Sequence, residues 1–335
     1  MTGSASFWLG ITWLLLAAGL SAAGTRWLVG WTTRHAILDV PNERSSHARA
    51  TPRGGGVAIV GVTTLAGLLA CVLWPESRPV LLPLIMASLG VAYVSWLDDL
   101  RPLPNRIRFG THLFAALVVT WFSRPLEALD FGTFGRLDLG IAAWPLTILW
   151  IVGMTNAFNF MDGIDGIAGM TAAIAGHAIA VAAACMSCSA LATVGFGFAG
   201  ASLGFLAYNW PPARIFMGDV GSAFCGFVIA SLPLALPADH VPRIAAVVAI
   251  TMWPFIFDTA FTLLRRVSRR ENIFEPHRSH IYQRLVIAGW SHRAVSSLYG
   301  GLSAMAAAVA LCPLLDPVWT HAADNVAVVT ILGTA

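Results

Sequence analysis

A chain of 335 residues that is 57% hydrophobic and 11% charged, with a mean hydropathy of +0.73, has about half the charge of a soluble domain and reads as a polytopic membrane protein. Its 20 basic residues are all arginine, which excludes Schiff-base chemistry and a lysine general base and leaves arginine to bind phosphate or carboxylate. The net charge of +3 informs only through its distribution, and no nucleic-acid partner is expected.

Apolar runs of about 17–25 residues predict spans near 7–30, 54–74, 80–97, 110–123, 139–158, 167–187, 190–208, 220–236, 242–263 and 294–313. An eleventh run, 323–335, stops short of a crossing. The expected fold is therefore all-α, with 10–11 transmembrane helices in a single integral-membrane domain over 1–335. The first run has no basic residue before it and reads as a span rather than a cleaved signal peptide. Cys185 and Cys188 form a C-x-x-C, but no second pair or histidine cluster stands nearby, so they read as small thiols in a helix.

The loops alternate in charge. One set holds Arg34, Arg44, Arg49 and Arg53, then Arg101, Arg106 and Arg108, then Arg214, then seven arginines from Arg265 to Arg293. The other set holds only Arg78, Arg124, Arg136 and Arg243. Positive residues stay in the cytoplasm, which puts the N-terminus outside and makes 264–293 a cytoplasmic basic loop. The outer segments Arg124–Asp138 and Leu314–Asp324 read as connectors.

Five polar segments then share the cytoplasmic face. Asp39–His47 is followed by Arg53-Gly54-Gly55-Gly56, where the glycines suit either an anion beside Arg53 or close helix packing. Asp98-Asp99 ends the third span, and adjacent carboxylates call for a cation. Asn156–Gly166 places two amides, two carboxylates and two glycines between apolar runs, and its Asp-Gly steps favour a turn. Carboxylates at the edge of hydrocarbon read as functional by default. The fourth segment, Tyr208–Ser222, carries Asn209 and sets Asp219 between glycines where a span begins. The fifth brings His277-Arg278-Ser279-His280. Oxygen donors without a Cys/His cage suit a hard cation such as Mg²⁺. With the opposing arginines and histidines, this is equipment for phosphoryl transfer at a membrane surface.

From Asp39 to Arg284 these segments resemble, in order, the polyprenyl-phosphate N-acetylhexosamine-1-phosphate transferases (glycosyltransferase family 4), which include the phospho-MurNAc-pentapeptide translocase. Asp98-Asp99 matches the family's paired aspartates, Asn156, Asn159, Asp162 and Asp165 its Asn-x-x-Asn-x-x-Asp-Gly-x-Asp-Gly element, and Asn209 and Asp219 its downstream asparagine and Gly-Asp-x-Gly-Ser aspartate. The resemblance implies a Mg²⁺-dependent enzyme (Mn²⁺ as substitute) of the bacterial inner membrane. In it undecaprenyl phosphate displaces UMP from a UDP-activated amino sugar. It implies Asp219 as metal ligand with Asn159 as helper, Asp98 as base or nucleophile, and Asp99 placing lipid phosphate or metal. Asp162 and Asp165 would lie near nucleotide or metal, and His280 against diphosphate or sugar. Asn156, Asn209, Arg53, His277 and Arg278 complete the expected substrate-binding set, and a homodimer is a family option.

One departure stands out. Where many members carry His-x-His-His, this chain has His280-Ile281-Tyr282-Gln283 after His277-Arg278-Ser279. That resembles the subgroup that starts O-antigen or similar surface polysaccharides and leaves open which histidine carries the family role. Because a phosphomonoester is largely a dianion above its second pKa near 6, direct attack by the lipid phosphate is favoured over a covalent aspartyl intermediate. The rival reading is a secondary transporter or lipid-linked sugar flippase; against it, no internal repeat is visible and the acidic residues sit at span ends on one side.

Overall fold

The computed structural model describes residues 3–40, 50–130, 136–272 and 277–315. Among them are twelve α-helices: α1 (Gly3–Arg34), α2 (Gly56–Leu73), α3 (Arg78–Leu100), α4 (Asn105–Ser123), α5 (Ala143–Met161), α6 (Ile167–Cys185), α7 (Ser189–Asn209), α8 (Asp219–Ser231), α9 (Val241–Thr251), α10 (Trp253–Ser268), α11 (Ile281–Ile287) and α12 (His292–Leu315). Seven of them, α1, α2, α3, α5, α6, α7 and α12, are long and apolar enough to cross a membrane, and α9–α10 makes an eighth if its bent halves are one span. The protein is an all-α multi-pass membrane protein. Helices α4 and α8 fall where spans were expected at 110–123 and 220–236. At 13 residues α8 reaches only about 20 Å, and a 3₁₀ turn, Leu232–Ala235, continues it. The run at 323–335 lies outside the described residues.

The run at 242–263, expected as one span, is broken at Met252, where α9 and α10 diverge by 68°. Pro254 stands in the first turn of α10, where a missing N–H costs nothing but cannot serve the turn before it. Helix α10 then runs to Ser268 with Asp258, Thr259, Thr262 and Arg266 buried and Phe261, Leu264 and Val267 exposed.

Small residues set the helix spacing. On α7, a Cβ at Gly195 would lie 2.9 Å from the Ala180 backbone of α6, and Gly200 and Gly204 lie directly against carbonyls of α1. In hydrocarbon, where burial alone does not drive helices together, such close approach supplies the packing energy. At the centre is α8, buried throughout from Val220 to Ser231 and packed against α3 and α5.

Two short antiparallel pairs complete the fold. One pairs β1 (Leu38–Asp39) with β2 (Thr51–Pro52). The other pairs β3 (Ala128–Asp130) with β4 (Arg136–Asp138), ordering part of the 124–138 connector.

Candidate active site

Helix α8 begins at the site, and the chain around Gly54–Gly56 is its collar. Phe216 N–H donates to Pro52 O at 2.8 Å, Gly55 N–H to Phe216 O at 2.9 Å and Gly56 N–H to Met217 O at 2.9 Å. A Cβ on Gly56 would collide with Gly221. The N–H groups of Gly55 and Gly56 are thus spent on the chain. Of the two sequence readings, close packing is the one these glycines serve.

The paired aspartates at the end of α3 have different surroundings. The Asp99 side chain is wholly buried and accepts from Arg53 Nε (3.0 Å) and Nη2 (2.5 Å), and from the N–H groups of Asp219 and Val220 (3.0 Å each). Asp99 therefore caps the positive end of α8, where a carboxylate is electrostatically favoured. Gly218, at φ +76°, supplies the turn, and a Cβ there would sit 2.6 Å from Asp99 Oδ2. Asp98 instead accepts from Leu103 N–H (2.6 Å) and pairs with Arg108 Nη1 (3.0 Å).

Arg108, read in the sequence only as part of a basic loop, is the hub of the cluster. Its Nη2 lies 3.4 Å from Asp219 Oδ2 and donates to Asn159 Oδ1 at 3.3 Å. Asn159 Nδ2 donates in turn to Asp219 Oδ1 (3.0 Å) and Ser222 Oγ (2.8 Å). One guanidinium thus gathers oxygens from α3, α5 and α8. Asn156, one turn before Asn159, donates to Val152 O within its own helix.

The turn between α5 and α6 forms a second knot. Asp165 Oδ2 accepts from Ala213 N–H (3.0 Å), its Oδ1 lies 3.4 Å from His292 Nδ1, and its carbonyl accepts from Ser296 Oγ (2.7 Å). Asn209 accepts from Gly166 N–H and donates to Ile215 O, both at 2.9 Å. These two residues brace the loops beside the cluster. Asp162 is the member of the turn that faces the acidic group: burial, and then Asp219, Asp99 and Asp165, hold its carboxyl well above the usual carboxylate range.

The third group comes from the loop after α10. His280 begins α11 and lies 3.2 Å, at Nδ1, from Asp258 Oδ1. Its ring packs 6.2 Å from that of Phe160, next in sequence to Asn159, and 5.0 Å from that of His277. His277 Nδ1 hydrogen-bonds with Ser279 Oγ at 2.8 Å, and burial and the nearby Arg266 lower its pKa to about 4, so it is neutral at physiological pH. Arg278, between the two histidines, is half-buried. Tyr282 OH donates to Phe160 O at 3.0 Å, which brings this loop to the end of α5, and Gly163 leaves room for that hydroxyl. Residues 41–49 and 273–276, parts of the first and fifth polar segments, lie outside the described residues.

Sequence reasoning missed Arg108, Ser222, His292 and Asp258. Two of them had a signal: Ser222 closes the Gly-Asp-x-Gly-Ser element, and Asp258 is a carboxylate inside an apolar run.

Against known proteins, residues 81–236 match the profile described as glycosyl transferase family 4. The chain is 36% identical over 260 residues to a Bacillus subtilis protein named "Probable undecaprenyl-phosphate N-acetylglucosaminyl 1-phosphate transferase", covering 76% of this chain and 71% of that one. The chain belongs to glycosyl transferase family 4. It is also 30% identical to a decaprenyl-phosphate N-acetylglucosaminephosphotransferase of Mycolicibacterium smegmatis, over 95% of this chain and 86% of the relative. A phospho-N-acetylmuramoyl-pentapeptide-transferase of Synechococcus is 29% identical, over 84% and 87%. As a family 4 member with this set of apolar helices, the chain is a multi-pass bacterial membrane transferase.

Proposed function

We propose that this family 4 protein transfers an N-acetylated amino-sugar 1-phosphate, N-acetylglucosamine 1-phosphate first among them, from its UDP derivative to undecaprenyl phosphate. UMP is released, and a lipid-linked surface polysaccharide is started on the cytoplasmic side of the membrane. The names of the relatives support donor and acceptor. The observation that carries the reading is the convergence of Asp98, Asp219 and Asn159 oxygens on one cationic group where α3, α5 and α8 meet.

Mg²⁺ is the proposed cofactor, and the donor set bears on its fit. Among the described residues no three His, Cys, Asp or Glu side chains are grouped to cage a metal. Mg²⁺ is ordinarily bound through one or two carboxylates, with substrate phosphates and water filling its other positions. Asp219 with Asn159 would meet that need, and the pairing of both with the Arg108 guanidinium supports a site suited to positive charge. When bound, the ion would neutralise the donor diphosphate.

The protein's own groups account for the rest. An oxygen of the lipid phosphate dianion attacks the phosphorus that carries the sugar; the new P–O bond forms as the bond to UMP breaks, and UMP departs with the electron pair. No obligatory general base is required, because the acceptor is already deprotonated. Asp98, held by Arg108 and Leu103 N–H, orients Arg108 toward the phosphates. Asp99 fixes the first turn of α8 and hence Asp219. His280 and Arg278 stand on the loop proposed to face the donor.

The test supplies UDP-N-acetylglucosamine, UDP-N-acetylgalactosamine and related donors with undecaprenyl phosphate and Mg²⁺ and measures UMP. Release with at least one donor, abolished in Asp219→Ala, is expected. Absence of UMP with every donor overturns the reading, and label trapped on the protein by UDP-sugar alone overturns the direct route.

A further inference from the structure

Asp258 is a heavily hydrogen-bonded side chain outside the cluster at α8. Its side chain is 1% exposed, inside α10 just past the 68° bend. Oδ1 accepts from Ile281 N–H (2.8 Å) and Thr262 Oγ1 (3.3 Å), and Oδ2 from Tyr282 N–H (3.0 Å) and Tyr299 Oη (2.6 Å). His280 Nδ1 lies 3.2 Å from Oδ1. These partners come from α10 itself, from the start of α11 and from α12.

The two backbone N–H groups can only donate, and one reaches each oxygen, so the carboxylate is an acceptor on both sides. Facing an oxygen that can only accept, the imidazole meets Asp258 by presenting N–H at Nδ1, in competition with the Gln283 N–H that reaches the His280 side chain in a capping box at the start of α11. Fixing Nδ1 as a donor leaves Nε2, on the far side of the ring from Asp258, as the only nitrogen whose state can change. Protonated, Nε2 donates to a phosphate oxygen; deprotonated, it accepts a proton. The alternative tautomer would aim an Nδ1 lone pair at a buried carboxylate oxygen 3.2 Å away, a repulsion that is costly away from water. The ring also packs beside three others, His277 (5.0 Å between centroids), Tyr282 (5.9 Å) and Phe160 (6.2 Å).

We infer that Asp258 is the positioning residue for His280: it selects the Nδ1–H tautomer and holds the ring beside the end of α5, so that Nε2 is the nitrogen offered to substrate. A carboxylate behind a histidine does the same for ligating and catalytic imidazoles generally. The inference rests on the proposed role of His280 toward the donor, and its test separates the two.

Two measurements decide it. In membranes or nanodiscs containing ¹⁵N-histidine-labelled protein, the His280 resonances, assigned by their loss in His280→Gln, report the tautomer without any turnover. The Nδ1–H form is expected in the wild type and its loss in Asp258→Asn; an Nε2–H form in the wild type overturns the inference whether or not the enzyme is active. Kinetically, Asp258→Asn is expected to lower kcat/KM for the UDP donor by roughly 10–100-fold, as loss of a histidine's supporting carboxylate does elsewhere. KM for the lipid acceptor should stay within about twofold, and Asp258→Glu should recover part of the loss. In the His280→Ala background, Asp258→Asn should cost almost nothing further. Equal costs in both backgrounds would make Asp258 a mere anchor of α11 and overturn the inference. A His280→Ala enzyme with wild-type donor kinetics would overturn the role of His280 while leaving the tautomer result to stand or fall by itself.

Discussion

Asp99 and Asp98 are neighbours in sequence, yet replacing each by asparagine should have different consequences. The Asp99 carboxylate has no exposed surface and takes four hydrogen bonds, two from Arg53 and two from the first turn of α8. Asparagine keeps one acceptor oxygen and turns the other into an NH₂ group that faces either an N–H or a guanidinium. Breaking a fully buried ion pair costs about 3–5 kcal/mol, but Arg53 is 29% exposed and water can solvate it afterwards, so its share is smaller. An orphaned buried N–H adds about 1–3 kcal/mol, and loss of the charge at the helix N-terminus up to about 1. These overlap, and a net cost of about 2–4 kcal/mol is expected for Asp99→Asn. At about 2 °C per kcal/mol for a chain of this size, the melting midpoint should fall by roughly 4–8 °C. Asp98 gives up only an ion pair with a 28% exposed arginine, and its asparagine oxygen can still accept from Leu103 N–H, so Asp98→Asn should cost about 1 kcal/mol or less while turnover collapses. The assay is thermal unfolding of detergent-purified variants beside UMP release. Arg53→Met should reproduce part of the Asp99→Asn shift, and the double variant should fall short of the sum because the pair is shared. If Asp99→Asn melts with the wild type but is inactive, Asp99 acts on substrate or metal and the anchoring argument is wrong.

Other substitutions probe the close approaches and charges around the site. Gly56→Ala, whose Cβ meets the Gly221 backbone, should destabilise by about 1–3 kcal/mol, whereas Gly61→Ala, with open space around it, should melt as the wild type. Gly163→Ala pushes on the Tyr282 hydroxyl and should raise KM for the donor, and adding Tyr282→Phe should restore it by making room. Because the Asp162 carboxyl is held above its ordinary range in the folded protein, its ionisation opposes folding more strongly as pH rises through that window. Asp162→Asn should therefore melt higher than the wild type at about pH 8 and equal to it near about pH 4, where both are neutral; a gap that widens as pH falls would refute the assignment. In a cysteine-free background, a cysteine at Arg214 should resist a membrane-impermeant maleimide in intact cells and one at Arg136 should react; the reverse pattern inverts the proposed orientation.

Most helices were legible because hydrocarbon imposes one rule on every span: an unbroken apolar run long enough to satisfy its own backbone. The same rule hid the bend at Met252, since an apolar run looks alike whether straight or broken, and Pro254 is tolerated in the first turn of a new helix as readily as in a kinked old one. The motif residues were conspicuous for the complementary reason, as polar groups at span ends, where a carboxylate is costly without a partner. What those groups do was less visible. Asp98 and Asp99 read as one cation-seeking pair, but helical geometry turns adjacent side chains about 100° apart, and one reaches the α8 terminus while the other reaches Arg108.

Long-range pairing is the harder limit, and Arg108 and Asp258 show it in two forms. Arg108 is one of three arginines in a short basic loop, and only the fold decides that it, rather than Arg101 or Arg106, reaches Asp98, Asn159 and Asp219. Asp258 was passed over although it is a carboxylate in an apolar run, and its partners lie up to 41 residues further along the chain and include two backbone N–H groups that no side-chain pattern announces. The histidine ambiguity has the same origin. His277 and His280 are equivalent as sequence, three residues apart and flanking one arginine; in the structure His280 is backed by a buried carboxylate and His277 by a serine hydroxyl. A carboxylate fixes the tautomer, whereas a hydroxyl can donate or accept and fixes nothing. That difference, not proximity in the motif, is the physical ground for proposing His280 rather than His277 as the donor-facing residue.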